Sequence, residues 1–289
     1  MQDIVIAGCG YVGEHLARQY LDRGASVLGL VQSQGGLERL GAAGIPAVRH
    51  DLAGTDPMPC SLAGMRLFHL IPPPAQGRED LHTQRLIEAF DQAGHPSRLV
   101  YISTTGVYGD CAGAWVDEDW PTRPTLDRSI RRLDAEERLR RWSQAHGSDL
   151  IVLRVAGIYG PGRLPLERLR RGLPLVRPEE APYSNRIHVD DLVVICIAAM
   201  ERGRNGAIFN VSDGHPSTMT DYFIQLAEAA GLPHPPLITM AEAAAQLSEG
   251  MIGYMSESRR LSNRRLREDL GVELRYPTLS EGLAQALGE

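Results

Sequence analysis

The chain has 289 residues, of which 43% are hydrophobic and 23% charged, and a formal net charge of −6. That balance suits a soluble globular protein and argues against a broad nucleic-acid surface. All 30 basic residues are arginine, which excludes any mechanism that needs a lysine amine or ammonium.

Residues 3–7 read as a short buried strand, followed by a glycine turn and an amphipathic helix through about Arg23. Further strands are expected at 25–31, 45–51, 65–71, 97–103 and 149–155. One helix is expected from roughly Glu79 to Ala93, and an arginine-rich helix lies between the last two strands. Strands that are nearly continuous apolar runs, alternating with helices, mean a parallel sheet covered on both faces. After Tyr159 the pattern loosens into Pro, Gly and Arg, then a helix follows "HVDD" and a strand occupies 207–211. Asp190 and Asp191 are expected as N-caps of that helix. The expected fold is therefore α/β, a Rossmann-type doubly wound parallel sheet with a smaller C-terminal substrate lobe. Its dinucleotide-binding part would be 1–156 plus 186–212, and the lobe 157–185 plus 213–289.

The four cysteines (Cys9, Cys60, Cys111 and Cys196) show no CxxC spacing and no histidine at a metal-finger interval. No metal site is expected, and a reducing, cytoplasmic setting is the simple inference. No basic or apolar leader precedes "DIVIAG", so no signal peptide is expected. The run "LVVICIAAM" is too short to span a bilayer, so no membrane partner is expected.

The first turn, "IAGCGYVG", holds Gly8, Gly10 and Gly13 in GxGxxG spacing. The first glycine allows the tight turn, the second the approach of a pyrophosphate, and the third close helix–strand packing. Its position after a strand and at the start of a helix confirms the reading, with Tyr11 and Val12 supplying backbone amides. An acid at the end of the second strand would bond the adenosine ribose, but the chain there reads Gln32-Ser33. Gln32 and Ser33, with Arg39 approaching from the next helix, could bond a 2′-phosphate instead. NADP is therefore expected over NAD.

These motifs, taken in order, resemble an extended short-chain dehydrogenase/reductase of the NAD-dependent epimerase/dehydratase type. "HDL" resembles the family's acidic turn over the adenine and implicates Asp51 and Leu52. "HLIPPP" resembles the segment along the cofactor, implicating Leu70, Ile71 and Pro72. "STTGVYG" resembles the serine/threonine motif, with Ser103 beside the cofactor and Thr104 orienting a carbonyl. "WVDEDWPTRP" resembles a substrate-side loop with Glu118. "LRVAGIYGPG" resembles the stretch under the nicotinamide, with Ala156 and Gly157. "RIHVDDL" and "FNVSDG" resemble late motifs, and Asn185 and Arg186 fall on the substrate side. The resemblance implies an oxidoreductase or epimerase acting on a carbonyl or hydroxyl carbon of a small molecule, sugar-like or anionic.

The same resemblance implies a catalytic tyrosine with a lysine four residues later on one helix face. The matching stretch is "RPTLDRSIRRLDAEERL", which has neither. Taking Glu136 as the family's acidic residue puts Arg132 at the lysine position and Arg128 at the tyrosine position. Sliding to Glu137 gives Leu133 and Ser129. Arg132 can keep part of the lysine's task by donating to ribose hydroxyls. Arg128 cannot release a proton near neutral pH, but it can bind an anion or stabilise an oxyanion. Water, a substrate carboxylate, Asp127 or Glu118 could move the proton instead. Two functions stay open: an NAD(P)-dependent enzyme with non-standard proton transfer, or a non-catalytic dinucleotide-binding sensor or assembly protein. Ile130, Leu133 and Trp142 could form an apolar stripe for a homodimer, or pack on the protein's own sheet.

Overall fold

The computed structural model describes residues 3–288 apart from 53, 55, 247–252 and 254. Five strands come first: β1 (Asp3–Ala7), β2 (Ser26–Val31), β3 (Ala47–Arg49), β4 (Arg66–His69) and β5 (Arg98–Thr104). A short β6 (Trp115–Val116) precedes β7 (Asp149–Val155), β8 (Gly157–Tyr159), β9 (Leu175–Val176), β10 (Tyr183–Ser184), β11 (Arg186–His188) and β12 (Ile208–Val211). Seven of them form one parallel sheet in the order β12-β7-β5-β4-β1-β2-β3. The chain winds one way from β1 through β2 to β3, then crosses to β4 on the other side. Such a reversal opens a crevice beyond the carboxyl ends of the strands, where ligands bind in doubly wound sheets.

The helices include α1 (Tyr11–Asp22), α2 (Gln34–Ala42), α3 (Leu81–Ala93), α4 (Asp127–His146), α5 (Leu166–Arg170), α6 (Val189–Arg202) and α7 (Met219–Ala229), followed by helices at Met240–Gln246, Arg264–Leu270 and Leu279–Gly288. The strand period of two divides the core. Ile4 and Ile6 of β1 pack with Leu16 of α1 and Ile195 of α6, whereas Val5 and Ala7 pack with Phe90 of α3 and Leu139 of α4. Both faces of the sheet are thus covered, which is why its strands read as continuous apolar runs. A separate cluster of Tyr159, Leu169, Tyr222, Phe223 and Leu283 lies off the sheet. Trp142 turns inward onto Phe90, with ring centroids 4.6 Å apart, and Leu133 packs beside Val107 and Tyr108. The Ile130/Leu133/Trp142 stripe is therefore largely spent within the chain. No helix among the described residues is long and apolar enough to cross a membrane.

The expected caps of α6 are corrected by the structure. His188 is the N-cap, its Nδ1 accepting from the Asp190 amide at 3.2 Å. Asp191 instead accepts from the amides of Arg275 and Tyr276 at 2.7 and 3.0 Å. It pins the C-terminal segment to the helix rather than capping it.

Beneath the carboxyl ends of β5 and β7 runs a buried polar chain. Arg154 of β7 grips Glu136 of α4 through Nε (3.2 Å to Oε1) and Nη2 (2.8 Å to Oε2). Ser103 of β5 donates to Glu136 Oε1. Arg154 Nη1 also donates to Tyr108 Oη at 3.1 Å, and Tyr108 donates to Asn210 Oδ1 at 2.7 Å. The Asn210 amide then donates to Glu118 Oε1 at 2.8 Å. Removing one member of a buried pair leaves an uncompensated charge, which costs about 3–5 kcal/mol. Arg154→Met should therefore lower unfolding free energy in urea by about that amount, and the double variant Glu136→Leu/Arg154→Met should recover part of the loss.

Candidate functional site

Two cavities lie along the carboxyl edge of the sheet, one lined by Pro72 and the other by the next residue, Pro73. The first, of about 110 Å³, is bounded by Gly8, Gln32, Asp51, Leu52, Ile71 and Pro72, with His50 and His82 beside them. It brings together six of the residues expected to bind the dinucleotide.

The glycine turn has the geometry that a pyrophosphate requires. Gly8 has φ +85°, and a Cβ there would lie 2.7 Å from the Ile71 nitrogen. A Cβ on Gly13 would press on Ile6 and Cys9 at 3.1 and 3.3 Å. A Cβ on Gly10, by contrast, meets nothing nearer than the Gly8 oxygen at 4.0 Å. Gly10 is also the N-cap of α1, and no side chain caps that helix. Open space before a helix N-terminus without a side-chain cap fits a phosphate group. Tyr11 closes the far side, donating to the Pro161 oxygen at 2.9 Å, and Val12 packs on the core.

The three polar residues expected to choose the dinucleotide all have partners. Ser33 caps α2, accepting from the Gly36 amide at 3.1 Å. Gln32 donates to Asp51 at 3.0 Å, which carries an acid into the same cavity, and Arg39 pairs with Glu14 at 3.1 Å.

The second cavity, of about 360 Å³, is the candidate reaction chamber. Its wall includes Thr104, Arg128, Ser129, Arg132, Ala156, Gly157 and Asn185. Thr104 ends β5, and its Oγ1 accepts from the Gly106 amide at 3.2 Å, starting the single 3-10 turn Thr105–Tyr108. Of the two acids that could mark the helix register, Glu136 is sealed in the polar chain, whereas Glu137 is exposed. Arg132, one turn before Glu136, faces the cavity. Its Nη1 is anchored on the oxygens of Ile102 (3.0 Å), Ile71 (3.3 Å) and Tyr101 (3.3 Å). Arg128, four residues earlier in the first turn of α4, faces the same cavity.

Other expected residues are placed elsewhere. Glu118 is buried away from the cavity, bonded to the Asn210 amide and 3.6 Å from Arg265, and burial pushes its carboxyl pKa up. Ser103 is sealed against Glu136, and Leu70 packs on the core. Arg186 is spent on the Asn185 oxygen, Met219 and the Tyr222 ring. Asp127 sits exposed beside Arg78, outside the cavity wall. Tyr159 is buried against His188 and Tyr222 and is not a proton donor to the chamber.

The titratable wall residues Tyr183, Glu257 and Arg259 had no motif to announce them. Arg259 Nη1 bonds both Glu257 Oε2, at 2.9 Å, and the Gly109 oxygen, at 2.6 Å. Glu257 Oε1 is buried with no hydrogen-bond partner among the described residues. Below Arg132, His69 is fully buried, its Nε2 2.7 Å from Thr83 Oγ1. Burial, aided by the Arg132 charge, lowers its pKa to about 3.

Comparison with known proteins agrees with this fold. The model of the NAD dependent epimerase/dehydratase family matches residues 78–212. The 3-diazoavenalumate denitrifying reductase of a Streptomyces species is 30% identical over 216 residues, spanning 70% of this chain and 69% of its own. The structure of a functionally unknown conserved protein from Silicibacter pomeroyi superposes with a TM-score of 0.86 at 32% identity, covering 100% of this chain and 99% of the other. MoeE5 in complex with UDP-glucuronic acid and NAD gives a TM-score of 0.77 at 25% identity, covering 99% and 98%.

Two predictions follow from the geometry. Gly10→Val should leave the urea midpoint nearly unchanged but weaken dinucleotide binding at least tenfold by calorimetry, whereas Gly8→Val should lower the midpoint itself. His69 is neutral when folded, but an unfolded imidazole takes a proton as pH falls through about 6.5. Stability should then decline between about pH 6.5 and 3 by up to ~1.4 kcal/mol per pH unit. His69→Gln should flatten that part of the urea-unfolding pH profile.

Proposed function

Since the chain belongs to the NAD-dependent epimerase/dehydratase family of extended short-chain dehydrogenases/reductases, we propose that it is an NAD(P)-dependent oxidoreductase or epimerase acting on a carbonyl or hydroxyl carbon of a small anionic molecule. The observation that carries this reading is the chamber's charge: three guanidinium groups, Arg128, Arg132 and Arg259, against one carboxylate, Glu257. A bound nicotinamide would supply or accept the hydride. The residues around Gly8, Gly10, Asp51 and Ile71 would hold its adenosine and phosphates. Arg132, anchored through Nη1, keeps Nε and Nη2 for ribose hydroxyls. The Thr104 hydroxyl orients the substrate oxygen. Arg128 takes the substrate's anionic group by a charge-assisted, bidentate contact. With Glu118 and Asp127 outside the wall, the proton is carried by Tyr183 or Glu257.

The MoeE5 complex and the Streptomyces reductase support the class of cofactor and of reaction. NADP is the form we favour, because the end of β2 lacks an acid and Ser33 can still donate its hydroxyl proton. Arg39, itself exposed, can leave its partner Glu14 for a 2′-phosphate.

Purified protein given NADPH and a panel of sugar-like and acid-bearing carbonyl compounds should oxidise the cofactor. Arg128→Ala should raise KM for an acid substrate by roughly 10–100-fold, and Thr104→Val should lower kcat by a comparable factor. Loss of the acid–base group costs on the order of 10²–10⁴ in rate, so that loss in only one of Tyr183→Phe and Glu257→Gln identifies the carrier. Arg39→Ala should weaken NADPH binding more than NADH binding. Tight dinucleotide binding with no turnover across the panel would replace this reading with that of a sensor.

A further inference from the structure

At the opposite end of α4 from the chamber, two histidines and an aspartate converge. Asp91 lies in the last turn of α3, His95 just beyond it, and His146 is the last residue of α4. One ligand atom from each lies within 4.8 Å of the others. His95 Nε2 is 3.7 Å from Asp91 Oδ1, too far for a hydrogen bond. For bonds of about 2.1 Å, neighbouring ligands of a tetrahedral ion stand roughly 3.4 Å apart. The spacing therefore suits a shared cation better than a direct contact.

Three features prepare the cluster. His146 Nδ1 lies 2.9 Å from the Trp142 carbonyl oxygen. That oxygen can only accept, so Nδ1 carries the proton and Nε2 presents its lone pair. Metal-binding histidines are commonly oriented in this way. The His146 ring is stacked on the buried Trp142 indole, at 5.3 Å and 24°, and His95 meets His146 edge to face at 4.6 Å. Gly94 turns the chain back with φ +92°, and a Cβ there would lie 2.7 Å from Ala63, so His95 is placed by a turn that only glycine makes comfortably. Both helices also end here, and their C-terminal partial negative charge favours a cation.

We propose that Asp91, His95 and His146 form a binding site for a divalent first-row transition metal of the Zn²⁺, Co²⁺ or Ni²⁺ kind. Two imidazoles and one carboxylate select such ions over Mg²⁺ or Ca²⁺. With three protein ligands, water completes the shell. No metal site was legible in the sequence, since His95 and His146 come together only when α3 and α4 pack side by side. The bound ion would clamp the C-terminal ends of these helices, and α4 carries Arg128 and Arg132 at its other end. The site is independent of the proposed reaction.

The test uses the full chain, stripped with chelator and titrated with ZnCl₂ by calorimetry, then with NiCl₂ or CoCl₂ while Trp142 fluorescence is followed. Saturable binding of one ion per chain, quenching of the buried-tryptophan emission and a higher melting temperature with Zn²⁺ are expected. His95→Gln and His146→Gln should each weaken binding at least tenfold and abolish the melting shift, and Asp91→Asn should weaken it less. His234→Gln, beside Glu228 on the surface, should change nothing. MgCl₂ should give no signal. Because both histidines are exposed, the chelator-treated variants should melt as the parent does. Binding that is non-saturable, or that persists in the His95→Gln/His146→Gln variant, would overturn the proposal.

Discussion

The reaction chamber rests on a pair of opposite charges taken out of water, Glu136 on α4 and Arg154 on β7. Desolvating two ions is expensive, and their attraction repays the cost only when every remaining donor and acceptor is met. Here they are met in sequence, through Ser103, Tyr108, Asn210 and Glu118. An apolar substitute could be as stable, but it would lack direction. The charged pair admits one rotation of α4 about its axis. That rotation turns Arg128, Ser129 and Arg132 toward the cavity and sends Glu137 to solvent. The same chain of bonds seats Tyr108, and with it the 3-10 turn that Thr104 caps. Placement of the two sides of the chamber is thus one problem with one solution.

A chain without lysine has arginine as its fixed cation beside the candidate chamber. Lysine would present a compact charge with rotating donors, whereas arginine presents a rigid fork. At position 132 the fork is divided in use. Nη1 holds backbone and tyrosine oxygens at the ends of β4 and β5, which fixes the plane of the group. The other nitrogens then point where that plane dictates. The site thereby has a pre-oriented donor beside the cavity.

Much of this was legible in the sequence where local patterns reflect local causes. Apolar runs mark a sheet buried on both faces, and Gly8, Gly10 and Gly13 mark a turn whose purpose is steric. The failures have a common physical origin. Ser103, Glu118 and Arg186 are polar residues in motif positions, yet each is engaged by partners that only the fold provides. Glu136 and Glu137 look alike along the chain because each is an acid in an arginine-rich helix; only the fold shows that one is sealed and the other exposed. Tyr183, Glu257 and Arg259 come from the irregular stretches after Tyr159, where no periodicity reports which side chains converge. Asp190 and Asp191 had the right chemistry for an N-cap, but His188 precedes them with a nitrogen already in reach.

The chamber's electrostatics bear on how proton transfer survives without the tyrosine. Arg259 is offset by Glu257 and by the Gly109 carbonyl, and Arg132 is braced on neutral oxygens. Arg128 lies in the first turn of α4, where the helix adds partial positive charge to its own. On the proposed reading, an anionic substrate gains most by placing its charge there. Its carbonyl would then be held by Thr104 of the same wall. On the same reading the proton carrier comes from outside the seven-stranded sheet, where β10 supplies Tyr183 and the segment before Arg259 supplies Glu257. A substrate bound through its charge at Arg128 would thus take its proton from groups that no strand of that sheet carries.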